Sequence, residues 1–101
     1  MGLRDIATRL TAGETVTFRP SGHSMTGIIN HRQTVTVSPV SDPDALTEGD
    51  VVLVKVRGAW LLHRVKHATR THLTIANARG RENGRVTRDK VAGVVTVIHP
   101  N

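Results

Sequence analysis

Apolar and polar residues alternate along this chain with two different periods. Near the start, in "LRDIATRL", Leu3, Ile6 and Leu10 recur at spacings of three and four residues. This spacing predicts a short amphipathic helix within residues 1–12. Gly13 then ends the helical pattern.

From Glu14 onward the period changes to two, the spacing of side chains on one face of a β-strand. Some segments alternate cleanly, and others are almost continuously apolar, which predicts strands that lie deeper in the fold. Another segment, "WLLHRV", follows its neighbour after Arg57, Gly58 and Ala59, a connection typical of a β-hairpin. The alternating segments are "ETVTFRP", "QTVTVSPV" and "HLTIAN", and the continuously apolar ones are "DVVLVKV" and "VAGVVTVI".

One helix and about six strands predict a mainly β protein with coiled or barrel-like sheets. A length of 101 residues suffices for one domain, spanning residues 1–101. Two polar connections rich in Pro, Gly and Asn, "SPVSDPDALTEGD" and "NARGRENGRVTRD", are expected to be loops. In the second, we expect Gly80, Asn83 and Gly84 to form turns with positive φ.

Composition then narrows the classes of function. The absence of cysteine excludes disulfides, zinc–thiolate sites and thiol catalysis. No segment reaches the roughly 18 apolar residues that span a bilayer, so we expect a soluble, cytoplasmic protein with no membrane partner. A net charge of +6 makes nucleic acid a candidate partner, but one Trp and one Phe offer little for base stacking, so this partner is not favoured. No motif indicates a cofactor, and no histidine spacing indicates a metal site.

The segment "SGHSMTGII", residues 21–29, differs from the strands around it. Gly22 and Gly27 let the backbone fold tightly around Ser24, so that backbone amides can point at one spot. A serine hydroxyl is a nucleophile only when a base and an oxyanion donor lie beside it. The alternative is an ordinary Gly-Ser turn without chemistry.

The segment "LLHRV" contains the candidate base. Strand alternation places His63 on the same face as Leu61 and Val65. A histidine among apolar neighbours is commonly a satisfied core residue. If His63 instead faces a cleft that contains Ser24, burial favours the neutral imidazole that a general base needs.

Four elements in this order, the Ser-Met turn, "GDVVLVKV", "LLHRV" and "VAGVVTVI", resemble the clan that contains type I signal peptidases and the LexA-like self-cleaving repressors. The resemblance runs from about Phe18 to Ile98. It implies coiled β-sheets with an SH3-like barrel, with Ser24 as nucleophile and Met25 as its companion. It also implies that His63 is the base, in the histidine form that is similar to archaeal and endoplasmic-reticulum signal peptidases.

The resemblance also implies a third, acidic residue. Asp89 is the nearest acidic candidate to orient His63, with Glu82 behind it, although a turn aspartate that caps local amides is the alternative. Backbone amides around Ser24, together with the Ser21 hydroxyl, are expected to hold the oxyanion. Lower-ranked candidates for the base are Lys55, Lys66 and His23.

The sequence therefore predicts a serine endopeptidase-like protein that uses a Ser-His dyad to hydrolyse a peptide or protein substrate or to cleave itself. For self-cleavage, the Ala12–Gly13 bond is of the small-residue type, although a helix C-cap glycine is the preferred interpretation. Two alternatives stay open. The first is a catalytically inactive member of the same fold that acts as a regulatory or protein-interaction module, and the second is a basic nucleic-acid-binding β domain.

Overall fold

The architecture is a seven-stranded antiparallel sheet with one short helix packed on it, described over residues 2–100 by a computed structural model. The sheet order is β1-β2-β7-β3-β4-β5-β6. Short 3₁₀ turns precede β3 and β7. In chain order the elements are α1 (Leu3–Thr11), β1 (Val16–Phe18), β2 (Val35–Pro39), β3 (Val51–Val56), β4 (Ala59–Ala68), β5 (His72–Ala76), β6 (Glu82–Thr87) and β7 (Val91–Ile98).

Helix α1 confirms the predicted N-terminal helix. Its buried residues are Ile6, Ala7 and Leu10, which share one face because Leu10 is four residues from Ile6 and three from Ala7. Gly13 follows the C-cap with φ of 94°, and its N–H donates to the carbonyl of Leu10 at 2.9 Å. This conformation suits glycine and ends the helix. Within the described part of the chain, no helix has the length and apolar character to cross a membrane.

The β3–β4 hairpin is the centre of the sheet. Arg57 (φ 50°) and Gly58 (φ 81°) form its two-residue turn, the positive-φ type that matches strand twist. Strand β3 is buried on both faces, as its continuous apolar run predicts. Val51 and Leu53 pack in a cluster with α1, while Val52, Val54 and Val56 pack in a second cluster between β3 and β6.

The sheet coils but does not close into a barrel. Strand β1 pairs only with β2, and β6 pairs only with β5, so both remain edge strands. Coiling brings β6 back over β3, where a Cβ at Gly84 would lie 3.0 Å from Val56 Cγ1. The expectation of a mainly β fold is confirmed, whereas the barrel is wrong because no hydrogen-bonded ladder joins the edges.

Strand β6 lies inside a segment for which the sequence predicts only a loop. Gly80 (φ 89°) and Gly84 (φ 155°) have positive φ, but Asn83 belongs to the strand and does not. Asn and Gly are weak strand formers, yet pairing with β5 and the burial of Val86 in the second cluster outweigh that preference. The chain therefore has one strand more than its periodicity indicates.

Gly93 provides a test of the packing between α1 and the sheet. A Cβ there would lie 2.7 Å from Val37 Cγ1, 2.8 Å from Leu10 Cδ1 and 2.9 Å from the Ser38 carbonyl oxygen. Because the backbone oxygen cannot turn aside, we expect Gly93→Ala to lower the free energy of unfolding by about 1–3 kcal/mol in urea denaturation. Val97→Thr, at an exposed position of the same strand, should change it by less than about 0.5 kcal/mol. Equal losses in the two variants would contradict this account.

Candidate active site

The loop between β1 and β2 presents Ser24 at the surface. Gly22 (φ 89°) and Gly27 (φ 103°) flank it in the left-handed region that favours glycine. Met25 and Ile29 are buried in the cluster beneath α1, and the N–H of Ile29 donates to the carbonyl of Met25 at 2.7 Å. The loop therefore rests on an apolar base while Ser24 stays exposed.

Hydrogen bonds tie this loop to the rest of the sheet. The N–H of Gly27 donates to Asn30 Oδ1 (2.9 Å), and the N–H of Asn30 donates to Gln33 Oε1 (2.8 Å). The side-chain amide of Gln33 then donates to the carbonyl of His99, beyond β7, at 3.1 Å. On the other side, the N–H of Ala78 donates to the carbonyl of Ser24 at 3.0 Å. These contacts fix the position of the Ser24 backbone.

His63 lies on β4, opposite Val52 of β3, and only 7% of its surface is exposed. Its Nε2 is 3.0 Å from Ser24 Oγ, and its Nδ1 is 2.6 Å from Asn83 Oδ1. An amide oxygen only accepts, so Nδ1 carries the proton and Nε2 is left to accept from the Ser24 hydroxyl. This is the tautomer that a general base needs.

Asn83 is the residue of the site that sequence reasoning missed. Across β5 and β6, Ile75 pairs with Gly84 and Ala76 pairs with Glu82, which leaves Asn83 as the extra residue of a β-bulge. A bulge changes the direction of a side chain, and here it directs the Asn83 side chain to a hydrogen bond with His63. The available signal was Gly84 within "ENGRVT", because an isolated glycine in a strand indicates a bulge.

Asp89 does not take the role that the sequence suggests. It lies in the exposed 3₁₀ turn after β6, where the Thr87 hydroxyl donates to its carboxylate and holds the pKa of that carboxyl below its usual range. Since Thr87 lies four residues beyond Asn83 on β6, about 13 Å of strand separates this region from the bulge. The third position beside His63 is therefore filled by Asn83, and Asp89 is a turn residue.

Glu82 and Lys66 form a separate pair. Lys66 Nζ lies 3.0 Å from Glu82 Oε2 and 3.0 Å from the carbonyl oxygen of Gly80. The ammonium therefore stabilises the turn between β5 and β6. Neither side chain is hydrogen-bonded to Ser24 in the described part of the chain.

The other candidates for the base also have different surroundings. Lys55 Nζ lies 6.0 Å from the ring centroid of Trp60, a cation–π geometry. The ring of His23 stacks on that of His31, with centroids 6.3 Å apart. Over residues 2–100, the ring nitrogen that is hydrogen-bonded to Ser24 belongs to His63.

A cleft of about 480 Å³ opens beside Ser24 and His63. Ser21, whose hydroxyl is predicted to help hold the oxyanion, is exposed and lines it, and Met25, the predicted companion of Ser24, contributes to its wall. Within residues 2–100, the backbone N–H groups of Ser24 and Met25 donate no hydrogen bond. Neither is used by another described residue, whereas the N–H of Thr26 donates to the His23 carbonyl.

The Ala12–Gly13 bond lies outside the cleft. Ala12 is the C-cap of α1, with its N–H donating to the Thr8 carbonyl at 3.1 Å, and Gly13 follows it with positive φ. Neither residue lines the cleft beside Ser24. The geometry is that of a helix C-cap glycine.

Comparisons with protein-family models, with curated proteins and with solved structures find no match to this chain.

Proposed function

We propose that the protein is a serine peptidase in which Ser24 is the nucleophile, His63 is the general base and Asn83 orients the base. The observation that carries the proposal is the 3.0 Å contact between Ser24 Oγ and His63 Nε2, with Nδ1 held by Asn83 Oδ1. A nucleophile, a base and an orienting group in hydrogen-bonded series define this class of site. The adjoining cleft has the size of a ligand site.

The geometry supports a complete acyl-transfer sequence. As Ser24 Oγ attacks the carbonyl carbon of a peptide bond, its proton passes to His63 Nε2, and the Asn83 oxygen accepts from Nδ1–H throughout. The backbone N–H groups of Ser24 and Met25 hold the oxyanion. The C–N bond then breaks and His63 returns the proton to the leaving amine. Water attacks the resulting ester, with His63 again as base, and releases Ser24.

A purely structural Ser-His contact is the competing interpretation, since a buried imidazole also needs partners. Two features favour chemistry. Ser24 is exposed at a cleft although its partner is buried, and the amides beside it are unpaired. A serine that served only to satisfy His63 would need neither feature.

The proposal extends to the fold family. The Ser24-Met25 pair and the sequence His63-Arg64-Val65 resemble the nucleophile and base segments of the signal peptidase and LexA-like clan. What supports this assignment is the coiled antiparallel sheet, with the nucleophile on a loop between strands and the base on the central hairpin. An inactive module with this fold would be the conclusion if the dyad fails the following test.

Substitution of the dyad tests the proposed chemistry. We expect wild-type protein to cleave members of a peptide mixture and to be phosphonylated at Ser24 by a fluorophosphonate probe, with both measured by mass spectrometry. Ser24→Ala and His63→Ala should each lower the cleavage rate by about 10⁴-fold or more, because the two residues act as a unit. Ser41→Ala, an exposed serine in the β2–β3 connection, is the matched control and should retain activity. Wild-type protein that neither cleaves nor becomes phosphonylated would refute the peptidase proposal.

Asn83 is tested by the pH dependence of the rate. Asn83→Ala should lower the rate constant for cleavage by about 10²- to 10⁴-fold, because the imidazole loses the partner that fixes its tautomer. Asn83→Asp should retain much of the rate but move the acidic limb of the pH–rate profile to higher pH, because a carboxylate stabilises the imidazolium. Thermal denaturation of both variants checks folding. A folded Asn83→Ala variant with wild-type rate and pH profile would show that Asn83 does not orient His63.

A second candidate function is the binding of a polyanion such as nucleic acid. A shallow depression formed by the β3–β4 turn and β6 has a basic lining without Asp or Glu. This surface lies apart from the dyad, since no residue of its lining also lines the cleft. Its basic side chains are Lys55, Arg57, His72, Arg85 and Lys90.

Nucleic-acid binding predicts a strong dependence on salt. A titration of labelled duplex DNA at two salt concentrations should give an affinity that falls steeply as salt rises. The double variant Arg57→Gln with Arg85→Gln should reduce the magnitude of the log–log slope by about 2, because two phosphate contacts are lost. Arg4→Gln with Arg79→Gln removes the same charge elsewhere and serves as the control. Failure of wild-type protein to bind at low salt would remove this candidate.

A further inference from the structure

The cleft beside the dyad is cationic as well as apolar. The chain contains eight Asp and Glu residues, yet none of them lines this cleft. Arg19, which follows β1, and Arg32, which precedes β2, both line it. The stacked rings of His23 and His31 lie in the same lining. The charged side chains that line the cleft are therefore all cationic.

Neither arginine is used to hold the fold together. Over residues 2–100, Arg19 and Arg32 make no ion pair or side-chain hydrogen bond, and both residues are exposed. In contrast, Arg88 donates to backbone carbonyls that include those of Thr69 and Leu46. A free guanidinium at a cleft offers a planar pair of donors that matches a carboxylate.

Part of the cleft wall is apolar. Met25, Ile29 and Leu62 belong to the buried cluster beneath α1, and each also lines the cleft. Leu3 of α1 and Trp60 of β4 add partly buried apolar surface. The lining thus offers both apolar surface and two guanidinium groups beside Ser24.

We propose that this cleft selects peptides that combine an apolar side chain near the scissile bond with a carboxylate directed to Arg19 and Arg32. The inference rests on the proposed function, because it takes Ser24 as the point of cleavage. The carboxylate belongs either to an Asp or Glu side chain of the substrate or to its C-terminus. Basic peptides are disfavoured, since they would place like charges in one cleft.

Trp60 allows binding to be measured without turnover. It is the only tryptophan of the chain and lines the cleft, so its fluorescence in the Ser24→Ala variant reports occupancy. Three octapeptides with the same apolar residues serve as probes. One contains two Glu and an amidated C-terminus, the second replaces both Glu by Gln, and the third is the Gln peptide with a free C-terminal carboxylate.

We expect the Glu peptide to bind about fivefold to tenfold more tightly than the amidated Gln peptide at low ionic strength, with the difference much reduced in about 0.5 M salt. Adding Arg19→Gln and Arg32→Gln to the Ser24→Ala variant should remove the preference. Adding Arg70→Gln and Arg85→Gln instead, exposed arginines outside the cleft, should preserve it. Tighter binding of the free-terminus peptide alone would support carboxylate recognition and assign it to chain ends.

The outcomes separate this inference from the proposed function. Equal binding of all three peptides would overturn the inference while phosphonylation of Ser24 in wild-type protein still stood. Loss of the preference in both double variants to the same extent would also overturn it, because total charge rather than the cleft would be responsible. A charge-dependent response of Trp60 in a protein that shows no cleavage or phosphonylation would retain the carboxylate-binding cleft and reject the peptidase.

Discussion

A buried imidazole with two nitrogens to satisfy is the constraint around which this site is organised. His63 lies on the central hairpin with 7% of its surface exposed, where an unpaired nitrogen would lose its hydration without compensation. One nitrogen meets Ser24 from the loop before β2, and the other meets Asn83 from the bulge in β6. Among the described residues, no buried side-chain nitrogen or oxygen lacks a partner. Satisfying His63 therefore joins three segments that are remote in sequence.

Coiling of the sheet makes this meeting possible. Gly84 lets β6 approach Val56 of β3, and the β5–β6 turn then lies against the Ser24 loop, where Ala78 N–H binds the Ser24 carbonyl. The turn itself is built on Asn77, whose Oδ1 accepts from two backbone N–H groups at 2.9 and 3.0 Å. A polar segment that resembles an ordinary surface loop thus forms part of the frame of the site. Its polarity serves local hydrogen bonding rather than solvation alone.

The net positive charge has more than one role in this molecule. Arg88 donates to backbone carbonyls, Arg64 donates to the Asn77 carbonyl at 3.0 Å, and Lys66 pairs with Glu82. These cations organise loops of the protein itself. Arg19 and Arg32 have no such task within residues 2–100, and they line the cleft. A total charge therefore says less about partners than the positions of the cations that the fold leaves unused.

Periodicity is enough to specify α1 and six strands, because the apolar spacing of each follows from its own local geometry. The resemblance carried by short motifs also predicts the pairing of Ser24 with His63, whose Oγ and Nε2 atoms lie 3.0 Å apart. Such patterns do not predict three features of the structure. These are the strand in "ENGRVT", the open edges of the sheet, and the hydrogen bond of His63 to Asn83 instead of Asp89. Each depends on pairing between segments. Pairing with β5 makes the segment of β6 a strand, and the bulge in β6 turns Asn83 toward the imidazole of His63, 20 residues earlier in the chain. Asp89 lies beyond the other end of β6. Local sequence sets what each segment prefers, but only packing decides which side chain satisfies a buried partner from another strand.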